Sequence, residues 1–114
     1  MNIKVGCDLI SLKRFDEICR SRGKDFLDKV FFQDEIRMAK SRESLAGYFA
    51  LKEAVFKAIG LNPSQIRIFK HATGKPNVQI LHDIEKNIIS SDVSISHDAD
   101  FAIAISTFLL NGDI

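Results

Sequence analysis

Three charged residues in this sequence could together act on a phosphate group. Asp8 follows an apolar β-like segment, and Glu53 and Lys57 lie one helical turn apart in a segment that is otherwise mostly apolar. Acidic side chains are rarely buried without a partner, so a carboxylate in such a helix needs an explanation. If Asp8 and Glu53 meet, they would suit Mg²⁺, which accepts one or two carboxylates together with substrate phosphates and water. Lys57 could then stabilise charge on a phosphate oxygen or a leaving group.

The same residues also fit a purely structural interpretation. Glu53 and Lys57 have the i,i+4 spacing of an intrahelical ion pair, which is worth about 0.3–0.5 kcal/mol at an exposed site. So weak a pair would hardly offset the desolvation of both charges in a buried helix. Composition and spacing leave both interpretations open, because they do not establish that Asp8 and Glu53 are neighbours.

A second group of polar residues lies near the end of the chain. Ser96 and His97 belong to the run SISHD, but adjacent strand residues point to opposite faces, so they do not form a ready catalytic dyad. Lys75 and Pro76 follow Gly74 in a segment with the composition of a hairpin loop. The sequence contains no GxxxxGK[ST] or GxGxxG element and no His or Cys spacing typical of zinc sites.

Hydrophobic periodicity predicts the elements that position these residues. Alternating apolar residues over 3–9 predict a half-buried strand, and a helix capped by Ser11 should stop near Gly23. Residues 43–59 predict a helix that is apolar nearly all round, hence buried and central, and that ends at Gly60. Weaker signals predict a short helix or irregular turn at 25–32, helices at 33–41 and 83–89, a hairpin of strands 66–69 and 78–81, and two β-rich runs at 93–97 and 101–109. We therefore expect an α+β fold: one compact domain over residues 1–114, with a small antiparallel or mixed sheet packed around a long buried helix.

Composition excludes several classes of protein. The 114 residues are 46% hydrophobic and 27% charged, which is not typical of a disordered chain. No apolar run approaches the roughly 20 residues of a membrane span, and the first residues do not resemble a secretory signal. Cys7 and Cys19 are expected to be reduced, buried thiols in a cytoplasmic protein. A net charge of +1 gives no field typical of a nucleic-acid binder.

Basic residues are concentrated in the first predicted helix. Its apolar face includes Phe15 and Ile18, and the other faces carry Lys13, Arg14, Arg20 and Arg22. Such a helix is often no more than a solvated surface. The alternative is a docking surface for an acidic partner protein.

Four segments in order make the sequence similar to a known family. They are VGCDLISLKR near the start, LAGYFALKEAVFKAIG in the central helix, TGKP in the hairpin loop, and SISHD before the last strand. The sequence resembles the holo-[acyl-carrier-protein] synthase family, the short type of phosphopantetheinyl transferase, from Ile3 to Leu109. Each segment alone is a weak signal, whereas the four in this order are specific.

The resemblance implies an enzyme of fatty acid biosynthesis that transfers the 4′-phosphopantetheine group of coenzyme A to a serine of apo acyl carrier protein. The other product would be adenosine 3′,5′-bisphosphate. The resemblance also implies Mg²⁺ dependence and a cytoplasmic homotrimer that holds coenzyme A between adjacent subunits. Neither nucleic acid nor membrane is expected as a partner. Glu53, or a metal-bound water that it orients, could accept the serine proton.

Matched position by position, the resemblance implies three groups of site residues. The first is catalytic, with Asp8 and Glu53 as metal ligands and Lys57 at the diphosphate. The second group would line the coenzyme A pocket and consists of Gly60, Lys75, Pro76, Ser96 and His97. The third group would bind the carrier protein and consists of Lys13, Arg14, Ile18, Arg20 and Arg22.

Two positions depart from the family pattern. Tyr48 stands where many members have an arginine of the phosphate-binding surroundings, so the 3′-phosphate would need a substitute among Lys52, Lys70 and Lys75. Cys7 replaces an aliphatic residue, which a small buried hydrophobe should tolerate. Two other functions remain compatible with the residues. One is a non-catalytic module that binds an acidic partner through its basic helix, and the other is a different Mg²⁺-dependent phosphoryl enzyme, such as a nucleotide hydrolase.

Overall fold

The described part of the chain forms a three-stranded sheet, a β-hairpin and three helical segments, the first of which is broken at Gly23. The computed structural model describes residues 1–112. In chain order the elements are β1 (Asn2–Ser11), α1 (Leu12–Val30), α2 (Gln33–Met38), α3 (Arg42–Ile59), β2 (Ile66–Lys70), β3 (Pro76–Ile80), β4 (Ile88–Asp98) and β5 (Phe101–Leu110), with 3-10 turns at Pro63–Gln65 and Asp83–Asn87. The sheet has the order β1-β5-β4 and the hairpin is β2-β3, all antiparallel. The predicted α+β class with a central helix is confirmed.

The central helix α3 has the boundaries that its capping residues predict. The Ser41 side chain accepts a hydrogen bond from the backbone N–H of Ser44, and Gly60 ends the helix in the left-handed conformation at φ 74°. Between these caps most of the helix is buried, including Tyr48, Leu51 and Val55. The helix lies against the three-stranded sheet, so it forms the centre of the core.

Small residues on the sheet allow α3 to approach it closely. Ala102, Ala104 and Ser106 of β5 are buried on the face toward the helix. A Cβ atom at Gly6 of β1 would lie only 1.7 Å from the backbone oxygen of Ala54. The backbone of β1 and that of α3 are therefore in direct contact.

The first helix stops at Gly23, as predicted. Ser11 caps it as expected, and Gly23 adopts the non-helical φ 63° and ψ −144°, so α1 consists of two helices joined across a kink at this residue. The second half packs Phe26 against Phe15 and Phe49, with ring centroids 5.6–6.2 Å apart. Of the short helix or irregular turn expected at 25–32, the structure has the helix, and this aromatic contact holds it against the core. The weaker expectation of a helix at 33–41 is met by the shorter α2, and that at 83–89 by a 3-10 turn.

The alternation in β1 is real, but the buried face is the opposite of the one expected. Ile3 is 73% exposed and Leu9 61%, whereas Gly6 and Ile10 face α3 and are buried. Cys7 shares the exposed face, so the prediction of a buried thiol there is wrong, while Cys19 is buried as expected. The reason is that Gly6 has no side chain, so its face of β1 can approach the backbone of α3 closely. We call the opposite side the outer face of the sheet; it consists of Ile3, Val5, Cys7, Leu9, Phe101, Ile103 and Ile105.

Among residues 1–112, no helix is both long and apolar enough to cross a membrane.

Candidate active site

The close contact between β1 and α3 brings Asp8 and Glu53 to one cavity. Asp8 lies two residues after Gly6 on the same face of β1, and Glu53 precedes Ala54, which touches Gly6. The cavity has a volume of about 380 Å³. Its lining residues are Asp8, Leu9, Ile10, Ser11, Arg14, Ile18, Phe49, Glu53 and Phe101. Two carboxylates, one arginine and an apolar wall therefore share one opening.

Lys57 bonds across the contact to β1. Its Nζ donates to Oδ1 of Asp8 and to the backbone oxygen of Cys7, both at 3.0 Å. The interpretation in which Lys57 serves only to pair with Glu53 on its own helix is therefore wrong. The Lys57 side chain is 53% exposed, so its ammonium also faces solvent beside the cavity.

The charges at this site influence one another. Burial raises the pKa of the Glu53 carboxyl, the negative charge of Asp8 raises it further, and the positive charge of Lys57 opposes both. The hydrogen bond to Asp8, and then the charge of Asp8, raise the pKa of Lys57. Two carboxylates that repel each other across a cavity form a site that favours a cation.

The donor set fits Mg²⁺ shared with a ligand. Both acidic side chains offer hard oxygen donors, and Mg²⁺ typically takes one or two carboxylates and completes its coordination with phosphate oxygens and water. Within residues 1–112 no group of three or more His, Cys, Asp and Glu side chains could enclose a metal ion. The arrangement thus suits an open site, with room for a phosphate ligand beside the ion.

Two residues expected to bind a partner line this same cavity. Arg14 and Ile18 lie one turn apart on α1 and form part of its wall. Arg20 is engaged by Asp16 at 2.9 Å, and the guanidinium of Arg22 lies 5.1 Å from the ring centroid of Phe26. Lys13 is exposed beside Arg14. The basic surface of α1 therefore begins at the edge of the carboxylate site.

The residues expected to bind coenzyme A do not line this cavity. Lys75 forms an ion pair with Asp92 on β4, and Pro76 begins β3. Gly60 forms the C-cap of α3, one turn beyond Lys57. In the strand order β1-β5-β4 the β4 strand is two positions from β1, which corresponds to roughly 10 Å. One chain therefore holds Asp8 and the Asp92–Lys75 pair on opposite edges of its sheet.

Ser96 and His97 lie on opposite faces of β4, as expected for adjacent strand residues. Ser96 borders a cavity of about 270 Å³ that shares Leu9 and Phe101 with the carboxylate cavity. The His97 Nε2 atom lies 3.0 Å from the backbone oxygen of Glu43, at the start of α3. The structure therefore places Ser96 next to the carboxylate cavity and His97 against the helix.

Of the three lysines considered for the missing arginine, Lys70 lies beside Tyr48, whereas Lys52 is out of reach of a ligand. Lys52 is fully buried and bonded to Glu35, so it cannot reach a ligand, and that suggestion is wrong. Lys75 is engaged by Asp92. The Nζ atom of Lys70 lies 6.0 Å from the ring centroid of Tyr48, whose buried hydroxyl has no hydrogen-bond partner within residues 1–112.

Sequence reasoning missed the apolar wall of the cavity and the Glu35–Lys52 pair. Phe49 and Phe101 line the cavity, although their positions in the predicted helix 43–59 and the β-rich run 101–109 do not distinguish them from core residues. Glu35 lies in the predicted helix 33–41, and nothing in its neighbours along the chain indicates that it is fully buried. A lysine at position 52 on the apolar side of a central helix was the available signal, since such a charge needs a buried partner.

Comparisons with known proteins agree on one family. The sequence model described as the 4′-phosphopantetheinyl transferase superfamily matches residues 4–106. The holo-[acyl-carrier-protein] synthase of Campylobacter jejuni is 39% identical over 111 residues, covering 90% of this chain and 96% of the relative, and that of Sulfurimonas denitrificans is 32% identical over 111 residues, covering 90% and 92%. The crystal structure of the Helicobacter pylori holo-[acyl-carrier-protein] synthase in complex with coenzyme A superimposes with a TM-score of 0.82 at 34% identity, covering 92% of this chain and 99% of that one. A "Chronobacterium ammoniagenes ACPS-CoA complex" gives a TM-score of 0.80 at 27% identity and covers 98% and 100%.

Proposed function

Since the chain belongs to the holo-[acyl-carrier-protein] synthase family of the 4′-phosphopantetheinyl transferase superfamily, we propose that it transfers the 4′-phosphopantetheine group of coenzyme A to a serine of apo acyl carrier protein. The proposal includes release of adenosine 3′,5′-bisphosphate and a cytoplasmic role in fatty acid biosynthesis. One observation carries the assignment of the site: Asp8 and Glu53 share a cavity with Arg14 and Ile18 of the basic helix. A carrier protein bound at α1 would thus present its serine next to the two carboxylates.

Each charged side chain of the site has a distinct task in this reaction. Asp8 and Glu53 would hold Mg²⁺, which when bound neutralises charge on the diphosphate of coenzyme A. Lys57 is anchored on β1 yet half-exposed, so its ammonium can stabilise negative charge on the departing bisphosphate. Glu53, or a water that it orients, would accept the serine proton. Phosphoryl transfer depends mainly on such positioning and charge stabilisation.

Residues on α1 would guide the carrier protein to the cavity. Acyl carrier proteins are acidic, so a basic surface speeds encounter and sets orientation. Arg14 and Lys13 are best placed for this, since Arg14 lines the cavity and Lys13 precedes it. Arg20 would have to leave Asp16, and Arg22 would have to leave the ring of Phe26, before either contributes fully.

A homotrimer would account for two features of the single chain. The outer face of the sheet exposes large apolar side chains, including Phe101, Ile103 and Ile105, and a contiguous apolar surface of this kind is typical of an interface. Lys75, which is expected to hold coenzyme A, is paired with Asp92 at the β4 edge, away from Asp8. A neighbouring copy that covers the outer face could place its β4 edge beside the carboxylate cavity. Sedimentation equilibrium would then give about three times the 12.8 kDa chain mass.

The deciding experiment combines purified protein, MgCl₂, coenzyme A and apo carrier protein, with the carrier analysed by mass spectrometry. We expect a carrier heavier by one phosphopantetheine group, and about 100-fold or greater loss of rate for Asp8→Asn and Glu53→Gln. Asp83→Asn is the matched control, because Asp83 is an exposed acid on a 3-10 turn. Transfer at the normal rate by the Glu53 variant would refute the site assignment.

The same assay separates the two other functions. A nucleotide hydrolase would release adenosine 3′,5′-bisphosphate from coenzyme A without carrier protein, and a binding module would hold the carrier without modifying it.

A further inference from the structure

Outside the cavity, one cluster of charged groups has no assigned role: the buried pair of Glu35 on α2 and Lys52 on α3. Both side chains are 0% exposed, and the Lys52 Nζ atom lies 2.8 Å from Oε1 of Glu35. The ammonium also donates to the backbone oxygens of Pro63 at 3.1 Å and Ile66 at 2.9 Å. An ammonium has three donors, so its hydrogen-bonding capacity is fully used. Burial lowers the pKa of Lys52, and the hydrogen bond to Glu35 opposes that change.

The carboxylate of Glu35 is equally engaged. Oε1 accepts from the backbone N–H of Phe32 at 2.7 Å as well as from Lys52, and Oε2 accepts from the backbone N–H of Ile68 at 2.7 Å. Ile66 and Ile68 are two residues apart on β2, so these backbone groups lie on the same edge of the strand. The neighbour of β2 in its sheet is β3 alone. The ion pair therefore supplies, on the other edge of β2, the hydrogen bonds that a third strand would make.

Stability alone does not explain this arrangement. A buried ion pair can often be replaced by apolar residues of similar volume at little cost, because desolvation offsets much of the attraction. What apolar residues cannot supply is a set of directed bonds that fixes one strand relative to a helix. The strand fixed here leads directly into the loop with Lys75, and the helix carries Glu53. The pair thus joins the element bearing the carboxylate site to the element expected to hold coenzyme A.

We propose that Glu35 is a positioning residue for coenzyme A: by accepting from the Ile68 N–H and from Lys52, it fixes the β2-β3 hairpin relative to α3. The inference rests on the proposed function, since it assumes that the loop of this hairpin contacts coenzyme A. Glu35→Gln has the same size but cannot accept both backbone hydrogen bonds through two oxygens. The bond from Lys52 to Pro63 does not involve Glu35, so α3 should keep Glu53 in place. The strand β2 would lose the Ile68 bond and keep only that from Lys52 to Ile66, so the hairpin should loosen.

The test compares steady-state kinetics of Glu35→Gln with those of Asp34→Asn. Asp34 is the matched control, because it also joins α2 to β2, through Arg67 at 2.9 Å, but at the surface. For Glu35→Gln we expect KM for coenzyme A to rise about tenfold, as for loss of one hydrogen bond to a charged group, with kcat within about threefold. Asp34→Asn should change neither by more than about twofold. An unchanged KM, an equal change in both variants, or a loss confined to kcat would overturn the proposal.

Amide hydrogen exchange tests the anchoring without any assay of activity. In the wild-type protein the Ile68 N–H should exchange as slowly as the amides of α3, and in Glu35→Gln amides of β2 and β3 should exchange at least about tenfold faster while those of α3 do not. If the Ile68 N–H of the wild-type protein exchanges as fast as the amides of the loop at 71–75, Glu35 does not anchor β2. This measurement needs only the wild-type protein, so it decides the question even if Glu35→Gln fails to fold. A wild-type protein with a slow Ile68 amide but no transferase activity would instead refute the proposed function and leave the anchor in place.

Discussion

The substitution Gly6→Ala should both destabilise the protein and lower its rate of transfer about 100-fold. The added Cβ would lie 1.7 Å from the backbone oxygen of Ala54, whereas ordinary van der Waals contact begins at about 3.4 Å. Strand β1 and helix α3 would therefore have to separate by roughly 1.7 Å, and neither side is a flexible side chain. Overpacking in a core costs about 1–3 kcal/mol, and a clash between two backbones belongs at or above the top of that range. The same movement would separate Asp8 from Glu53, and misplacement by about 1 Å costs on the order of 100-fold in rate.

Gly47→Ala is the matched control for this prediction. It also adds a methyl group between α3 and the sheet, but its nearest neighbours at 2.9 Å are the Nε2 atom of His97 and the Cγ2 atom of Ile95. Both neighbours are side-chain atoms. The His97 ring would turn at the expense of its bond to the Glu43 backbone oxygen, worth about 1 kcal/mol, and the preference of alanine over glycine in a helix offsets about the same amount. Urea unfolding should show a loss of at least about 3 kcal/mol for Gly6→Ala and less than about 1 kcal/mol for Gly47→Ala. Equal unfolding free energies for the two variants would refute the argument that backbone contact between β1 and α3 builds the site.

Three further predictions concern the charges around the cavity. In the metal-free protein, a carboxyl NMR titration should give Glu53 a pKa above that of an ordinary glutamate, and Asp8→Asn should lower it. A Glu53 pKa indifferent to Asp8 would contradict the coupling. Lys70→Ala should weaken binding of coenzyme A about tenfold but barely affect 3′-dephospho-coenzyme A in calorimetry, whereas equal losses would exclude a 3′-phosphate contact. Arg14→Ala should weaken carrier binding in a salt-dependent manner and leave coenzyme A binding unchanged. Lys24→Ala should leave both unchanged, because Lys24 is already paired with Asp28 on the same helix.

Elements defined by local signals could be predicted from the sequence. The ends of α3 follow from Ser41 and Gly60, and the hairpin follows from two short apolar runs around a glycine-containing loop. The break in α1 follows in the same way from Gly23, which leaves the helical conformation. The choice between a short helix and an irregular turn at 25–32 could not be made from the sequence, because it depends on Phe26 packing against Phe49 of another helix.

The candidate site was accessible to sequence reasoning only in part. Asp8, Glu53 and Lys57 could be selected because each residue type suits phosphate chemistry, but their proximity depends on Gly6, which carries no chemical signal. The buried bond between Glu35 and Lys52 spans 17 residues, and that between Glu35 and Ile68 spans 33. Periodicity describes one element at a time, so it cannot identify a partner at such separation.

The alternation of β1 shows where single-chain reasoning stops. A period of two establishes that Ile3, Val5 and Leu9 share a face, and burial of apolar residues then assigns that face to the interior. In this fold the interior is instead formed against small residues, because α3 can approach the sheet closely only where side chains are nearly absent. The larger residues are left on the outer face, where their exposure as a single chain would be costly. Large apolar residues at these positions are therefore explained if a second copy of the chain buries them. A second copy is also what would bring a β4 edge next to Asp8, because within one chain the two lie on opposite edges of the sheet.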